Sequence, residues 1–227
     1  MIQLLLETAT EVCSVAVARD QELLAEVTAA GPQQHASRLT LFIAEALEKA
    51  GLSLHELDEV TLSDGPGSYT SLRVGAATVK GLCLALPNLH FSAVSTLEAL
   101  AYAVQAGGAD RILATVNSRR NEVFGQVFNA ETLAPETEVM NVRLSDSQWR
   151  GRLLDGAGLG KIVVCGPGQD RVREVLDGDN AFSFAEPTAP AARHLLAPAR
   201  RRPDVAAYEP FYLNPPFVTR SKKKSLL

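Results

Sequence analysis

Several features are scarce in this chain of 227 residues, and each scarcity excludes a class of protein. Cysteine is rare: Cys13, Cys83 and Cys165 are odd in number, lie far apart and have apolar neighbours. This pattern predicts buried, reduced thiols and not a disulfide framework or a metal site. No apolar run reaches the length of a membrane span, and Met1 leads directly into a strand-like pattern without the charged start of a secretory signal. We therefore expect a cytoplasmic protein that makes no contact with membranes.

Ligands for metals and phosphates are also scarce. The four histidines, His35, His55, His90 and His194, lack the spacing of metal ligands, so we expect each to be a surface or hydrogen-bonded residue. No lysine follows the Gly-Pro-Gly of residues 65–67 at the position that a Walker loop requires. The sequence therefore predicts neither a bound metal nor a P-loop ATPase.

The charge is unevenly distributed along the chain. Residues 193–227 hold eight Lys and Arg against two acidic residues, a net charge of +6, which leaves about −10 for residues 1–192 out of the total of −4. An acidic body argues against independent binding of nucleic acid, because phosphate contacts need a basic surface. The basic end, residues 214–227, can touch RNA only inside an assembly, and we expect it to be a solvated, disordered tail.

The most informative segment is residues 63–75, which join a strand-like run at 59–62 to a helix-like run at 72–86. Glycines at a strand-to-helix turn allow positive φ and let backbone N–H groups face an anion, while Ser68 or Thr70 can cap the helix that follows. From the residues alone, the segment is either an oxyanion or phosphate cradle or a plain tight turn. A lone Gly-Pro-Gly is more often a tight turn.

Five segments together resemble the TsaB (YeaZ) family of bacterial tRNA-modification subunits. Gly-Pro-Gly-Ser-Tyr-Thr-Ser-Leu-Arg-Val-Gly at residues 65–75 is similar to that family's Gly-Pro-Gly-Ser-Phe-Thr-Gly-Leu-Arg-Ile-Gly signature. The other four segments follow the family's order: an opening strand and turn at 4–16, Val-Ser-Thr-Leu-Glu at 94–98, Arg-x-x-Glu-Val-Phe at 119–124 and Pro-Phe-Tyr-Leu at 210–213. The resemblance therefore covers the chain from end to end.

The resemblance implies an α/β fold made of two ribonuclease H-like lobes of the ASKHA (actin, Hsp70 and sugar kinase) type. The strand and helix patterns alone predict only an α/β protein, whose first half opens with three strands, a helix, a strand and a helix. Glycines 107 and 108 mark a natural boundary. We expect a first lobe at residues 1–106, a second lobe at 107–213 and the tail at 214–227.

The resemblance also implies a function. TsaB proteins are non-catalytic subunits of the machinery that transfers a threonylcarbamoyl group to N6 of the adenosine at position 37 of tRNAs reading ANN codons. They dimerise with TsaD, a larger catalytic paralogue of the same fold, and hold it in its active form, while TsaE, a P-loop ATPase, binds where the two meet. By this resemblance the chain meets tRNA only through the complex and has no cofactor of its own. ATP and Mg²⁺ act only within the complex, and a homodimer is possible when the chain is isolated.

Two sets of residues are candidate sites. The turn after the first strand and the glycine segment are candidates for a nucleotide or oxyanion loop, with the residues Glu7, Thr8, Thr10, Gly65, Gly67, Ser68, Tyr69 and Thr70. Because TsaB proteins pair through their first-lobe helices, the resemblance gives as candidates for the partner interface Ser37, Leu41, Ala44, Arg73, Gly75, Ala76, Thr78 and Gly81. Each glycine inside a helix costs about 1 kcal/mol relative to Ala, which is tolerated where backbones approach closely. The alternative is tight packing of that helix on its own sheet.

Three arginines near these segments have two interpretations. Arg73 can hold a phosphate or carboxylate, or can pair with Asp64 or Glu98, and we expect the structural ion pair. Arg119 and Arg120 lie where two strands meet at a turn, which suits a contact between lobes or with a partner as well as exposure to solvent.

Missing ligands separate this chain from the enzymes of the fold. In the catalytic paralogue, the segment corresponding to residues 94–100 carries a His-x-x-x-His metal pair, where this chain has Thr96 and Leu100. Glu7 replaces the family's usual Asp after the first strand, and Asn117 replaces a second carboxylate, so a freestanding phosphotransferase is disfavoured. Two rival functions stay open: an ATP-dependent small-molecule kinase of this fold, which the glycine segment favours, and a metallopeptidase, which the missing histidines disfavour.

Overall fold

The structure, a computed structural model, describes residues 1–31, 35–154, 160–176 and 178–214. Of the predicted tail, only Asn214 falls within the described residues. Ten strands and five α-helices form in these ranges, in the order β1 Ile2–Glu7, β2 Val12–Arg19, β3 Glu22–Ala30, α1 His35–Ala50, β4 Glu59–Ser63, α2 Tyr69–Ala85, β5 His90–Val94, α3 Thr96–Ala103, β6 Arg111–Asn117, β7 Glu122–Asn129, β8 Met140–Arg143, α4 Trp149–Leu154, β9 Ile162–Cys165, α5 Gln169–Val175 and β10 Phe182–Phe184. Two short 3-10 helices lie at Leu54–Glu56 and Ala192–Leu195.

The two sheets have the same topology. The first has the order β3-β2-β1-β4-β5, and the second, taken from its opposite edge, has the order β8-β7-β6-β9-β10. In each lobe the first three strands form an antiparallel meander, and the fourth and fifth run parallel to the first. A five-stranded mixed sheet in this order is the ribonuclease H-like arrangement, and its repetition along one chain gives the ASKHA architecture. The fold predicted from the resemblance is confirmed.

Strand β1 shows why the first sheet forms at the centre of its lobe. Its run of leucines is buried on both faces, as expected for the central strand of a sheet that is covered on both sides. Because side chains alternate across a strand, Leu4 and Leu6 pack in the cluster that contains α1 and α2, whereas Leu5 packs on the opposite side of the sheet. None of the described helices is both long and apolar enough to cross a membrane.

After β10 the chain returns to the first lobe. We call residues 191–212 the strap. Its 3-10 helix packs Ala192 and Leu195 on the face of the first sheet that holds Leu5, and farther on the ring of Tyr208 lies 4.7 Å from the ring of Phe91. The predicted second-lobe range of 107–213 therefore includes a segment that packs on the first lobe.

Helix α2 begins three residues earlier than its apolar pattern indicates, at Tyr69. Ser68 is the N-cap: its hydroxyl accepts from the Ser71 N–H at 3.4 Å. The cap places the glycine segment directly against the first turn of the helix.

Candidate functional site

The glycine loop, residues 64–68, lies between the end of β4 and the start of α2, and one of its sides packs on the β1–β2 turn. The Ser68 N–H donates to the carbonyl oxygen of Ala9 at 2.7 Å. A Cβ added to Gly67 would overlap that same oxygen. Gly67 is therefore required for the close approach of two backbone segments of this chain.

The other side of the loop packs on the strap. Gly65 has a φ of +104°, and a Cβ added there would lie 2.8 Å from the carbonyl oxygen of Phe211. The Gly65 carbonyl oxygen accepts from the Thr96 N–H at 2.9 Å, which joins the loop to the start of α3. The glycines of this loop thus fit a tight turn held between the β1–β2 turn and the strap.

Glu7 and Thr8 lie behind the loop and are fully buried. The Glu7 Oε1 atom accepts from the Ala9 N–H at 2.6 Å, while the Oε2 atom has no hydrogen-bond partner among the described residues. Burial raises the pKa of the Glu7 carboxyl from 4.5 to about 7, against the opposing effect of the Ala9 hydrogen bond. The carboxyl group therefore faces the interior of the lobe and stabilises the β1–β2 turn.

A cleft of about 630 Å³ separates the two lobes in front of the loop. Of the predicted loop residues, Thr10, Gly67, Ser68 and Tyr69 line it, and Glu7, Thr8, Gly65 and Thr70 do not. The facing wall comes from the second lobe and includes Asn117, Ser118, Arg119, Phe124 and Arg171.

The second-lobe wall is internally hydrogen-bonded. The Arg171 Nη1 atom donates to the carbonyl oxygens of Arg119 and Glu122, both at 2.8 Å, and so fixes the β6–β7 turn on α5. The Asn117 amide donates to the carbonyl oxygen of Pro167 at 2.9 Å. Arg119 thus contributes through its backbone to contacts within the second lobe and is also one of the residues that line the cleft.

Asp64 connects the glycine loop to the strap, which the sequence did not predict. Its Oδ1 atom accepts from the Tyr208 hydroxyl at 2.7 Å, its Oδ2 atom accepts from Arg201, and its carbonyl oxygen accepts from the Phe211 N–H at 2.8 Å. Burial raises the pKa of the Asp64 carboxyl, and the bonds from Tyr208 and Arg201 act in the opposite direction. Three bonds from the strap to one buried residue fix the loop in place.

A second buried carboxylate holds the strap farther along. Glu59 is 1% exposed, and its oxygens lie 3.3 Å from Arg200 and 3.2 Å from Arg202. The three consecutive arginines 200–202 thus bind carboxylates that lie about 140 positions earlier in the chain. In the sequence, the only signal for these contacts is the arginine run itself.

The predicted ion pair of Arg73 is wrong. Asp64 binds the strap instead, and the Arg73 Nη1 atom donates to the Tyr69 hydroxyl at 2.8 Å, with the guanidinium 5.2 Å from the centre of the Tyr69 ring. The reason is geometric: Arg73 is exposed on α2, whereas Asp64 is buried beneath the strap.

The candidate interface residues divide into exposed and buried sets. On α1, Ser37, Leu41 and Ala44 are all exposed, and Gly81 on α2 is exposed with no atom within 4 Å of an added Cβ. Gly75 is buried instead, and an added Cβ would lie 2.5 Å from the Thr8 Oγ1 atom. Its assignment to the partner surface is therefore wrong, because its close approach is to the lobe's own sheet.

Two further candidates on α2 are largely covered by the chain itself. Ala76 is 6% exposed, and the half-buried Thr78 donates its hydroxyl to the Val74 carbonyl at 2.9 Å. The interface role of the exposed candidates stays a prediction.

A groove of about 420 Å³ runs between α2 and the end of the strap. Tyr69, Arg73 and Lys80 line its helix side, and Tyr208, Glu209 and Tyr212 line its strap side. The rings of Tyr69 and Tyr212 close one end, with their centres 4.7 Å apart.

Among the described residues, no three His, Cys, Asp or Glu side chains come together in a way that could hold a metal ion. His35 is buried in α1 with its Nε2 atom 3.2 Å from the Val12 carbonyl oxygen, and the His194 Nδ1 atom accepts from the Ala191 N–H at 3.1 Å. Cys13 and Cys165 are buried and Cys83 is half-buried, and all three are free thiols.

Comparison with known proteins gives consistent matches. A family model described as "TsaD: tRNA N6-adenosine threonylcarbamoyltransferase" matches residues 22–142. The "tRNA threonylcarbamoyladenosine biosynthesis protein TsaB" of Haemophilus influenzae is 32% identical over 181 residues, which are 79% of this chain and 69% of that protein.

Two solved structures resemble most of the chain. YeaZ from Pseudomonas aeruginosa has a TM-score of 0.68 at 27% identity, covering 86% of this chain and 88% of its own. A protein described as uncharacterized, with similarity to peptidase YEAZ from Pseudomonas aeruginosa, has a TM-score of 0.74 at 25% identity, covering 94% of this chain and 99% of its own.

Proposed function

This chain belongs to the TsaB family, and we propose that it works in the biosynthesis of threonylcarbamoyladenosine in tRNA as a non-catalytic subunit that binds and activates a TsaD-like paralogue. The Haemophilus relative is named for this pathway, and the family model that matches half of the chain is the model of the transferase itself. The proposed partner is therefore a protein of related sequence and fold, and both would act in the cytoplasm.

The observation that carries the proposal is the exposed face of α1 and α2. The two helices pack side by side on the first sheet, and Leu41 on α1 and Leu84 on α2 are 63% and 85% exposed. Ala44 and Gly81, each three residues from one of these leucines along its helix, are exposed as well. Large apolar side chains that stand among small ones on neighbouring helices favour a protein interface, because the small residues let a partner approach closely.

The proposed role is a change in the population of partner conformations. A subunit that binds the active conformation of the paralogue better than the inactive one raises the share of the active form, and it can do so only by the ratio of the two affinities. Activation therefore requires no catalytic group on this chain. A TsaE-like ATPase would join at the same junction, and tRNA would be bound through the complex.

The glycine loop has a structural role in this proposal. Its glycines are used for packing on Ala9 and Phe211, and the Glu7 carboxyl does not line the cleft. Both observations support a loop that shapes the start of α2, with ATP and Mg²⁺ bound elsewhere in the complex. A thermal-shift titration of the isolated chain with MgATP tests this part. A clear stabilisation by nucleotide, or ATP turnover by the chain alone, would favour the kinase alternative.

Reconstitution with the TsaD-like paralogue from the same cell tests the main proposal. We expect tRNA modification only when both proteins and the threonylcarbamoyl donor system are present. Leu41→Asp and Leu84→Asp should each weaken the complex by at least about tenfold, because a buried charge without a partner costs more than about 1.4 kcal/mol. Both side chains are exposed, so the melting temperature of the isolated chain should change little.

Val175→Asp is the matched control, since Val175 is 43% exposed on α5 of the second lobe. It should bind the paralogue like the wild type. Efficient tRNA modification by this chain without any TsaD-like protein would contradict the proposal, and so would unchanged binding by both leucine variants.

A further inference from the structure

Two cations, Arg73 and Lys80, line the groove between α2 and the strap, and neither forms an ion pair with a carboxylate of the described residues. Arg73 donates to the phenol of Tyr69, and the Lys80 Nζ atom donates to the neutral carbonyl oxygen of Ala206 at 3.3 Å. Glu209 is the single acidic residue that lines the groove among the described residues, so the lining has a net charge of +1. The positive charge of the groove contrasts with the rest of the protein body, because residues 1–192 together have a net charge of about −10.

The walls of the groove are held in place before any ligand binds. Asp64 fixes the strap through the Tyr208 hydroxyl, and the Tyr69 and Tyr212 rings are in contact at the end of the groove. The Ala76 and Ala77 side chains form an apolar floor on the helix side. Because this groove, with its apolar floor and two cations, is already formed, the chain loses little conformational entropy when a peptide binds there.

We propose that this groove binds an extended acidic segment of the TsaD-like partner, with carboxylates on Arg73 and Lys80 and an apolar side chain against the alanines. The inference rests on the proposed function, and it adds the strap to the interaction surface of α2. The groove opens beside the exposed face of the same helix, so a partner seated on that face reaches both cations. Charge complementarity across the rim gives specificity and a faster association rate.

Two other occupants fit the charges less well. A second copy of this chain, related by a two-fold axis through the groove, would bring two cationic grooves together. A tRNA phosphate backbone would meet two cations on an otherwise acidic body, and polyanion binding needs a broad basic surface.

Charge reversal combined with salt dependence tests the proposal. Arg73→Glu and Lys80→Glu should each weaken binding of the TsaD-like partner by about tenfold at low salt, mainly through slower association, and the loss should shrink at high salt. The milder Arg73→Gln and Lys80→Gln should lie between these and the wild type. Arg173→Glu, an exposed cation on α5 of the second lobe, is the charge-matched control and should bind within about twofold of the wild type.

Hydrogen exchange supplies an independent measurement on the unmodified chain. Binding of the partner should protect the backbone amides of residues 206–212, because Tyr208, Glu209, Pro210 and Tyr212 line the groove and the Ala206 carbonyl oxygen accepts from Lys80. Circular dichroism and thermal melting of each variant confirm that the isolated chain stays folded, as expected for substitutions on the exposed side of a helix.

The outcomes separate this inference from the function on which it rests. If the wild-type chain binds no TsaD-like partner, the proposed function fails and the inference fails with it. Normal partner binding by the wild type and by both charge reversals, or no protection of residues 206–212, would overturn the groove assignment alone. Tight binding of tRNA by the isolated chain that both reversals abolish would assign the groove to RNA instead.

Discussion

Glu7→Gln should remove a pH dependence from the stability of this protein. The carboxyl group is completely buried, and its pKa is raised from 4.5 to about 7 by desolvation. A group whose folded pKa is raised binds more protons in the native state than in the unfolded chain between these two values. Stability is therefore lost as the pH rises through this window, and the full cost is reached above about pH 7.

The magnitude follows from the two pKa values. Each unit of displacement corresponds to about 1.36 kcal/mol. Between about pH 5.5 and about pH 8, ionisation of Glu7 should lower the free energy of unfolding of the wild type by about 2 kcal/mol. For a chain of this length, that is a decrease in melting temperature of about 4–8 °C. Glutamine keeps an oxygen for the Ala9 N–H and cannot ionise, so this component should be absent in the variant.

Urea unfolding at both pH values, followed by circular dichroism, measures the effect as the difference between wild type and variant. The free energy of unfolding of the variant should increase relative to that of the wild type as the pH rises, whatever the absolute stability of the variant. Glu48→Gln, an exposed change on α1, is the control and should show no comparable trend. A constant difference between wild type and Glu7→Gln across the pH range would refute the reasoning and would mean that the Glu7 carboxyl is solvated or charged in the native protein.

Other substitutions test the packing of the glycine loop and of α2. Gly67→Ala places a methyl group on the Ala9 carbonyl oxygen and should lower the free energy of unfolding by about 1–3 kcal/mol in a denaturant titration. Gly75→Ala, which meets the Thr8 hydroxyl, should also destabilise, whereas Gly81→Ala in open space should stabilise by up to about 1 kcal/mol; equal effects in thermal melts would contradict the assigned orientation of α2. Tyr208→Phe removes the hydroxyl from the buried Asp64 carboxyl but keeps the ring, and should cost about 1–3 kcal/mol. It should also raise hydrogen exchange at residues 205–212, and unchanged exchange there would argue against the role of this bond.

The regular elements of both lobes could be predicted because their signals are local. The apolar runs at residues 2–6 and 111–116 predict strands, and the apolar stripe of helical period at about 34–50, which ends at Gly51, predicts a helix. The observed β1, β6 and α1 agree with these ranges within one residue. α4 and β10, of six and three residues, are too short to show any period, and were not predicted. The identical strand order of the two sheets came from the family resemblance, since a pattern of strands does not state which strands are neighbours.

The candidate site was harder to predict because it depends on contacts between distant segments. The sequence identifies the glycine segment but leaves open whether it is an anion cradle or a tight turn. The choice depends on Ala9 and Phe211, which lie against its two sides and which no local pattern indicates. The predicted partner of Arg73 is wrong because the sequence shows only the spacing of residues along a helix. It does not show that Asp64 is buried and so out of reach of an exposed arginine. The arginines of the strap enter the sequence analysis only through the net charge of residues 193–227, since nothing local indicates that they pair with acids far earlier in the chain.

The course of the strap also bears on how the protein is made. Leu195 and Tyr208 belong to the hydrophobic core of the first lobe, although they are synthesised after the whole second sheet. The first lobe therefore cannot complete its core as it leaves the ribosome, and it must wait until the second has emerged. Contacts of such long sequence separation slow folding and leave apolar surface exposed in the interval. Folding of the first lobe is consequently coupled to the strap, and cutting the chain between residues 106 and 107 would yield a first lobe without these core residues.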